Sequence, residues 1–224
     1  MRVVTGEAKG RKLKGPKTIG TRPIIDRVKQ ALFNILSTRV EDARFLDLFA
    51  GTGSVGIEAL SRGAASATFI ELNHKVLALV RENLQITGLS DRPDRAVTLH
   101  ADAFKFLQSM QQPATGTVGV GARFIAPTGG VKGAGTRPNV PTEYDIIYVA
   151  PPQYQEMAAR ALAMLDGSPL VAKTGLVIVQ IHPKERAGVA AVSPAHLVLT
   201  DERRYGSTLL MFYETKEEQS LDDK

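Results

Sequence analysis

Phe45-Leu-Asp-Leu-Phe-Ala-Gly-Thr-Gly-Ser-Val-Gly56 decides the fold. Its first half, Arg44 to Phe49, has the apolar and aromatic content of a short buried strand. Gly51, Gly53 and Gly56 then open an amphipathic segment, Ser54 to Arg62, with helical spacing. A strand, a tight glycine turn and a helix start are therefore expected here. Glycines at such a turn admit positive φ, and its free N–H groups attract electron-rich ligand atoms. Asp47 breaks the apolar run, and a carboxylate buried there costs free energy unless something satisfies it. A cationic ligand would do so.

Working outward, Ala67-Thr-Phe-Ile-Glu-Leu72 reads as the next strand and places Glu71 about twenty residues after Gly51, where dinucleotide-type folds set an acid on ribose hydroxyls. Val97-Thr-Leu-His100 is followed by Asp102. Acids at the carboxyl ends of consecutive parallel strands converge on one crevice. Helical spacing recurs over 74–87, near 104–110 and over 155–165, and further strands read at 144–149 and 175–181. This β-α rhythm predicts an α/β fold with a mostly parallel sheet and helices on both faces. Leu197-Val-Leu-Thr200 and Ser207-Thr-Leu-Leu-Met-Phe-Tyr213 are too close for a helical crossover, so the sheet should end in an antiparallel pair. Arg203, Arg204 and Tyr205 are expected in the turn between them.

Three divisions follow. Residues 1–40 form a basic extension: a β-hairpin from Arg2–Thr5 and Arg11–Lys14, then a helix starting at Thr21-Arg-Pro with an apolar stripe from Ile24 to Leu36. Residues 41–213 form the main domain. Within it, 111–143 is rich in Gly, Pro and Thr without a period and reads as a disordered insertion, as does the acidic tail 214–224.

The 224 residues contain no Cys, which excludes disulfides, thiolate metal sites and cysteine nucleophiles. His100 and His182 lack ligand-spaced partners, so no metal site is expected. No apolar run reaches the ~18 residues of a membrane span, and a cytoplasmic monomer is expected. The net charge of +5 is unevenly spread: residues 1–30 hold nine Lys/Arg against two acids, leaving the remainder acidic. Such a patch implies a polyanionic partner.

A glycine turn with a ribose-binding acid serves dinucleotides and S-adenosylmethionine alike. Asp47 would repel a pyrophosphate and attract the ammonium of the sulfonium compound, and the antiparallel ending suits the methyl-donor fold. Val149-Ala-Pro-Pro-Gln-Tyr154 occupies the next crevice position, where the reacting group belongs. Gly6-Glu-Ala-Lys-Gly-Arg-Lys-Leu13, Thr21-Arg-Pro23, Asp26-Arg-Val-Lys29, Ala31-Leu-Phe-Asn-Ile-Leu36, Gly56-Ile-Glu-Ala-Leu-Ser-Arg-Gly-Ala64 and Arg204-Tyr-Gly-Ser-Thr208, with the opening stretch, together resemble the RsmD-type methyltransferases.

The resemblance implies a class I, Rossmann-like fold using S-adenosylmethionine to methylate the exocyclic N2 of a guanine in 16S ribosomal RNA or the assembling small subunit. By matching position, Asp47, Gly51 and Gly53 would hold the methionine end, Glu71 the ribose, and Asp102 with Ala103 the adenine. Lys9, Arg11, Lys12, Lys14, Arg22, Arg27 and Arg204 are candidate RNA contacts. The catalytic stretch would be Ala150, Pro151, Pro152, Gln153 and Tyr154. It departs from the family's Asp/Asn-Pro-Pro-Tyr/Phe twice, because Ala150 has no side-chain acceptor and Gln153 stands where the aromatic is expected. Three other readings stay open: a non-catalytic RNA-binding or ribosome-assembly factor, a methyltransferase for DNA adenine or protein glutamine, and, more remotely, a nicotinamide enzyme.

Overall fold

Between Arg44 and Thr215 the apolar runs pair into a sheet of seven strands in the computed structural model, which describes residues 1–15, 24–90, 95–111, 140–153 and 155–216. The expectations for Arg22 and the Thr21-Arg-Pro helix start, for Tyr154, for 112–139 and for the tail beyond 216 lie outside the described residues. At the margins of the expected insertion 111–143 and tail 214–224 the structure corrects the expectation, since Gln111 ends a helix, Glu143 pairs with Arg44, and Glu214 and Thr215 end the last strand.

The strands are β1 (Arg44–Asp47), β2 (Ser66–Glu71), β3 (Ala96–His100), β4 (Tyr144–Val149), β5 (Val171–Ile181), β6 (Leu197–Tyr205) and β7 (Thr208–Thr215), in the order β3-β2-β1-β4-β5-β7-β6. The first five are parallel, and β7 runs antiparallel to both β5 and β6. The helices are α1 (Asp26–Leu36), α2 (Ser54–Ser61), α3 (His74–Thr87), α4 (Ala103–Gln111), α5 (Met157–Leu165) and α6 (Arg186–Ala190).

Parallel strands buried on both faces need cover on both. One face packs Phe45, Phe69, Ile146 and Ile178 against α1, α2 and α3, and the other packs Leu46, Ile70, Ile147 and Val177 against α4 and α5. Phe45 and Phe69 are fully buried, and burial of such a ring stabilises by about 1.5–3 kcal/mol. Helix α3 is closed at both ends by its own sequence. The Asn73 side chain accepts from the Lys75 and Val76 N–H groups, and Gly88 adopts the left-handed conformation at the C-terminus.

Several sequence expectations are corrected. Helix α1 starts at Asp26, because Ile25 is extended, so Ile24 lies outside the helical stripe. The N-terminal hairpin is reduced to one antiparallel bridge, Arg2 with Lys12. Arg203, Arg204 and Tyr205 belong to β6, opposite Leu210, Leu209 and Thr208, so the turn is at Gly206 and Ser207. Strand β5 begins at Val171 rather than Gly175, and α5 at Met157 rather than 155.

The N-terminal segment lies along α2. The Glu7 N–H donates to the Ser61 carbonyl (2.8 Å), the Ala8 N–H to Ser61 Oγ (3.0 Å), and Asn83 Nδ2 ties the Lys14 carbonyl to that of Thr52. At Gly6 the approach is so close that a Cβ would stand 1.7 Å from the Ser61 carbonyl oxygen, with φ at +88°. Gly6→Ala is therefore expected to destabilise by about 2–4 kcal/mol, combining left-handed strain with overpacking. Thermal unfolding measures the loss, and faster proteolytic cleavage within residues 1–15 would localise it.

Candidate active site

The sheet order reverses between β1 and β4, and a crevice forms outside the carboxyl ends of strands at such a point. Here it is a cavity of about 710 Å³. Toward β2 and β3 it is lined by Glu71, Leu72, Asn73, Asp102, Ala103 and Phe104. Toward β4 and β5 it is lined by Tyr148, Ala150, Pro152, Met157 and Gln180, with Asp47 and Gly51 between.

Asp47 ends β1 and is 1% exposed. Its Oδ2 accepts the Gly56 N–H at 3.2 Å, which burial outweighs: its pKa is pushed up to about 7 by desolvation, with Glu71 adding to the rise. Gly51 takes φ +53°, and nothing stands within 4 Å of where its Cβ would be, so the turn leaves open space on the cavity side. Gly53, at φ +75°, caps α2. The Glu71 carboxylate joins the turn to the next loop by accepting the Gly51 N–H (3.0 Å) and the Asn73 N–H (2.7 Å). Burial raises its pKa, against the pull of those N–H groups. Asp102 caps α4, accepting the Lys105 N–H at 2.9 Å.

Three carboxylates along one crevice, one of them dry and short of partners, suit a ligand with a cationic end and hydroxyls better than a pyrophosphate. Leu72, 64% exposed beside Glu71, adds an apolar surface for a flat ring. These features fit the ammonium, ribose and adenine of S-adenosylmethionine.

The family model described as conserved hypothetical protein 95 matches residues 1–118 and 131–214. The chain belongs to that family. It is the RsmD-type family that the sequence motifs resemble, and among its relatives is ribosomal RNA small subunit methyltransferase D of Escherichia coli strain K12. That protein is 29% identical over 99% of this chain and 93% of its own length. The solved structure of yhhF from Escherichia coli superposes on this RsmD-type chain with a TM-score of 0.70 at 27% identity, over 96% of this chain and 98% of that one. An RNA methyltransferase from Salinibacter ruber, solved with S-adenosyl-L-homocysteine, shares the fold at TM-score 0.57 and 13% identity, over 91% and 100%. The fold is that of class I S-adenosylmethionine-dependent methyltransferases.

Of the residues expected in the catalytic stretch of this RsmD-type chain, Ala150 and Pro152 line the cavity, while Gln153 is exposed. Tyr148 and Phe104 are buried and also line the cavity. Phe104 carries the Arg160 guanidinium 4.0 Å above its ring. Gln180 was missed, although a polar residue near the end of an apolar strand is the same signal that singled out Asp47. Its Oε1 accepts from the Tyr148 hydroxyl at 2.6 Å. Among the described residues no group of His, Asp and Glu could hold a metal, and no helix is long and apolar enough to cross a membrane.

Lys9, Arg11, Lys12, Arg27 and Arg204 are exposed. Lys14 is paired with Glu82. The β6–β7 turn stands at the cavity edge of the sheet, because Ile181 at the end of β5 pairs with Leu209, so Arg204 shares that edge. Lys29, counted from sequence with the surface charge, is wholly buried against Glu58 at 3.1 Å.

Proposed function

We propose that the chain is an S-adenosylmethionine-dependent methyltransferase acting on the exocyclic N2 of a guanine in small-subunit ribosomal RNA or the assembling subunit, as a cytoplasmic monomer. The observation that carries the reading is Asp47, a buried carboxylate with its pKa near 7 at a glycine turn, facing a cavity whose far wall is the Ala150-Pro-Pro turn. The name of the Escherichia coli relative points the same way.

S-adenosylmethionine, when bound, supplies a methyl group on a positively charged sulfur. Asp47 would hold its ammonium, with Gly51 and Gly53 leaving room at the turn. Glu71 would hold the ribose hydroxyls, and Asp102 and Ala103 the adenine edge. The guanine amine is a weak nucleophile because its lone pair is delocalised into the ring. Acceptors on its N–H bonds turn that lone pair outward and stabilise positive charge as it develops. The Pro151 carbonyl, its backbone restricted by the proline rings and flanked by Ala150 and Pro152, which line the cavity, would be one such acceptor.

Lys9, Arg11 and Lys12 on the N-terminal segment, Arg27 on α1 and Arg204 at the end of β6 would meet phosphates, while a splayed base enters the cavity. Replacing Lys9, Arg11 and Lys12 together by Ala is expected to weaken RNA binding and reduce the log–log salt slope by about 2–3, with donor affinity unchanged. Filter binding at several salt concentrations, with calorimetry for the donor, measures both. Lys14 is left in place because its charge is already paired with Glu82.

The test of the reading is incubation with methyl-labelled donor and small-subunit RNA or particles, then nucleoside analysis. Label in N2-methylguanosine is expected. RNA binding without transfer would favour the assembly-factor reading, and label in adenine or glutamine would overturn the guanine assignment.

A further inference from the structure

We propose that Gln180 supplies the side-chain acceptor for the target amine, held in place by Tyr148. The inference rests on the function proposed above and concerns the wall of the cavity that receives the base.

Strands β4 and β5 are parallel and in register, with Tyr148 opposite Ile178 and Val149 opposite Val179. One residue further along each chain come Ala150, just past the end of β4, and Gln180, still within β5. Side chains alternate between faces along a strand, and neighbouring strands lie about 4.8 Å apart. Tyr148, Ala150 and Gln180 therefore project from the same face, next to each other, and all three line the cavity. Asp47, opposite Tyr148 on β1, shares that face. Among the described residues of the turn after β4, Ala150 ends in a methyl group, and Gln153 is exposed and does not line the cavity. Two carboxamides line the cavity: Asn73, whose Oδ1 is taken up by the Lys75 and Val76 N–H groups, and Gln180, on the strand next to β4.

The Gln180 carboxamide is oriented. The Tyr148 hydroxyl donates to Gln180 Oε1 at 2.6 Å, and Tyr148 is 2% exposed, so the donor cannot swing away. Burial near Asp47 holds the phenol pKa well above its ordinary value and keeps it a donor across the working range. One lone pair of Oε1 is thus committed. A carboxamide oxygen has a second, and its nitrogen carries two N–H groups. An acceptor beside donors complements the guanine edge, where the amine and N1–H donate and O6 accepts. In the transfer, the amine lone pair forms the N–C bond while the C–S bond breaks and its electron pair remains on sulfur. The positive nitrogen then releases a proton to water. An acceptor on the amine strengthens as that charge develops, so its effect falls on kcat rather than on binding.

The test is a set of variants assayed with methyl-labelled donor and small-subunit RNA. Gln180→Met keeps the bulk and removes the amide; it is expected to lower kcat about 100-fold with KM for RNA changed less than about threefold, and with donor affinity retained. Tyr148→Phe is expected to lose about tenfold in kcat, since Gln180 remains but is no longer oriented. Ala150→Asn introduced into the Gln180→Met enzyme restores an acceptor across the strand and is expected to recover most of the loss, which a merely structural role for Gln180 would not allow. A Gln180→Met enzyme with wild-type kcat, or a lost kcat that Ala150→Asn does not recover, overturns the assignment while leaving the methyltransferase reading intact. If the wild-type chain binds donor and transfers nothing to guanine, both fall together.

Discussion

Replacing Asp47 by Asn is expected to make the ligand-free protein more stable and to remove its affinity for the methyl donor. The Asp47 carboxyl has a folded pKa of about 7 against an ordinary value of 3.8, because burial outweighs the single N–H it receives from Gly56. Below about pH 4 both folded and unfolded chains hold the proton, and the group contributes nothing to pH dependence. Between about 4 and 7 the unfolded chain loses its proton while the folded chain keeps it, so stability falls as pH rises. Above 7 the folded protein carries a dry carboxylate at a cost of up to about 4 kcal/mol, the shift of about three units at 1.36 kcal/mol each. Asn has nearly the same shape and does not titrate. The variant should therefore melt higher than the wild type at pH 8, by up to about 10 °C, with little difference at pH 4. Donor binding reverses the order, because an ammonium against Asp47 offsets its buried charge, whereas Asn offers only a dipole. Loss of donor affinity of at least about 100-fold is expected, and wild-type affinity should weaken as pH falls below 7. Calorimetry at pH 5 and 8, with and without donor, measures all of this. Equal melting curves at pH 8, or undiminished donor affinity, would refute the role of Asp47.

This trade between stability and ligand is also why the centre of the site was legible from residues alone. Asp47, Glu71 and Asp102 stand out because an acid closing an apolar strand is an expensive choice, and parallel topology brings such positions together without further information. Gln180 carries the same signal in weaker form: a neutral amide inside Leu176-Val-Ile-Val-Gln-Ile181 costs less to bury and is easily passed over as part of the strand. Its partnership with Tyr148 depends on β4 and β5 being neighbours in register, which no local pattern encodes. The end of β6 was misplaced for a different reason. Asp201-Glu-Arg-Arg204 is as polar as a turn, but an edge strand is solvated along one side and tolerates, indeed favours, charges there. Lys29 was misjudged most. Its helix exposes other polar side chains, and only the docking of the N-terminal segment on α2, through Glu58, removes it from water.

Glu58 is accordingly the residue whose removal should cost the most stability outside the sheet itself. It is wholly buried, yet its carboxylate accepts from the Val4 and Thr5 N–H groups at 2.8 and 2.9 Å, from Lys29 Nζ at 3.1 Å and from Arg62 Nε at 2.9 Å. Lys29 Nζ in turn donates to the Arg2 carbonyl at 2.6 Å, so one ion pair fastens the basic segment to α1 and α2 together. Glu58→Ala leaves Lys29 buried without its counter-charge and strips two backbone N–H groups of their acceptor. A loss of about 3–5 kcal/mol is expected, a fall in melting temperature of roughly 10 °C. The loss should depend on pH in a defined direction. Burial already holds the Lys29 pKa below 10.5 while Glu58 opposes the fall. Without Glu58 it drops further, the folded state binds fewer protons than the unfolded state, and stability rises with pH. The deficit should therefore be larger at pH 6 than at pH 9. Adding Lys29→Met to Glu58→Ala removes the stranded charge and should recover part of the loss at pH 6 and less at pH 9, the non-additivity that a buried pair requires. The functional readout separates the two ends of the molecule. Donor affinity should survive, because Asp47, Glu71 and Asp102 stand on the sheet and its loops, whereas RNA affinity should fall with a flatter salt dependence, because Lys9, Arg11 and Lys12 lose the platform that aims them. An unchanged salt slope in a protein with the predicted stability loss would mean that this segment serves the fold and that the nucleic acid is held elsewhere.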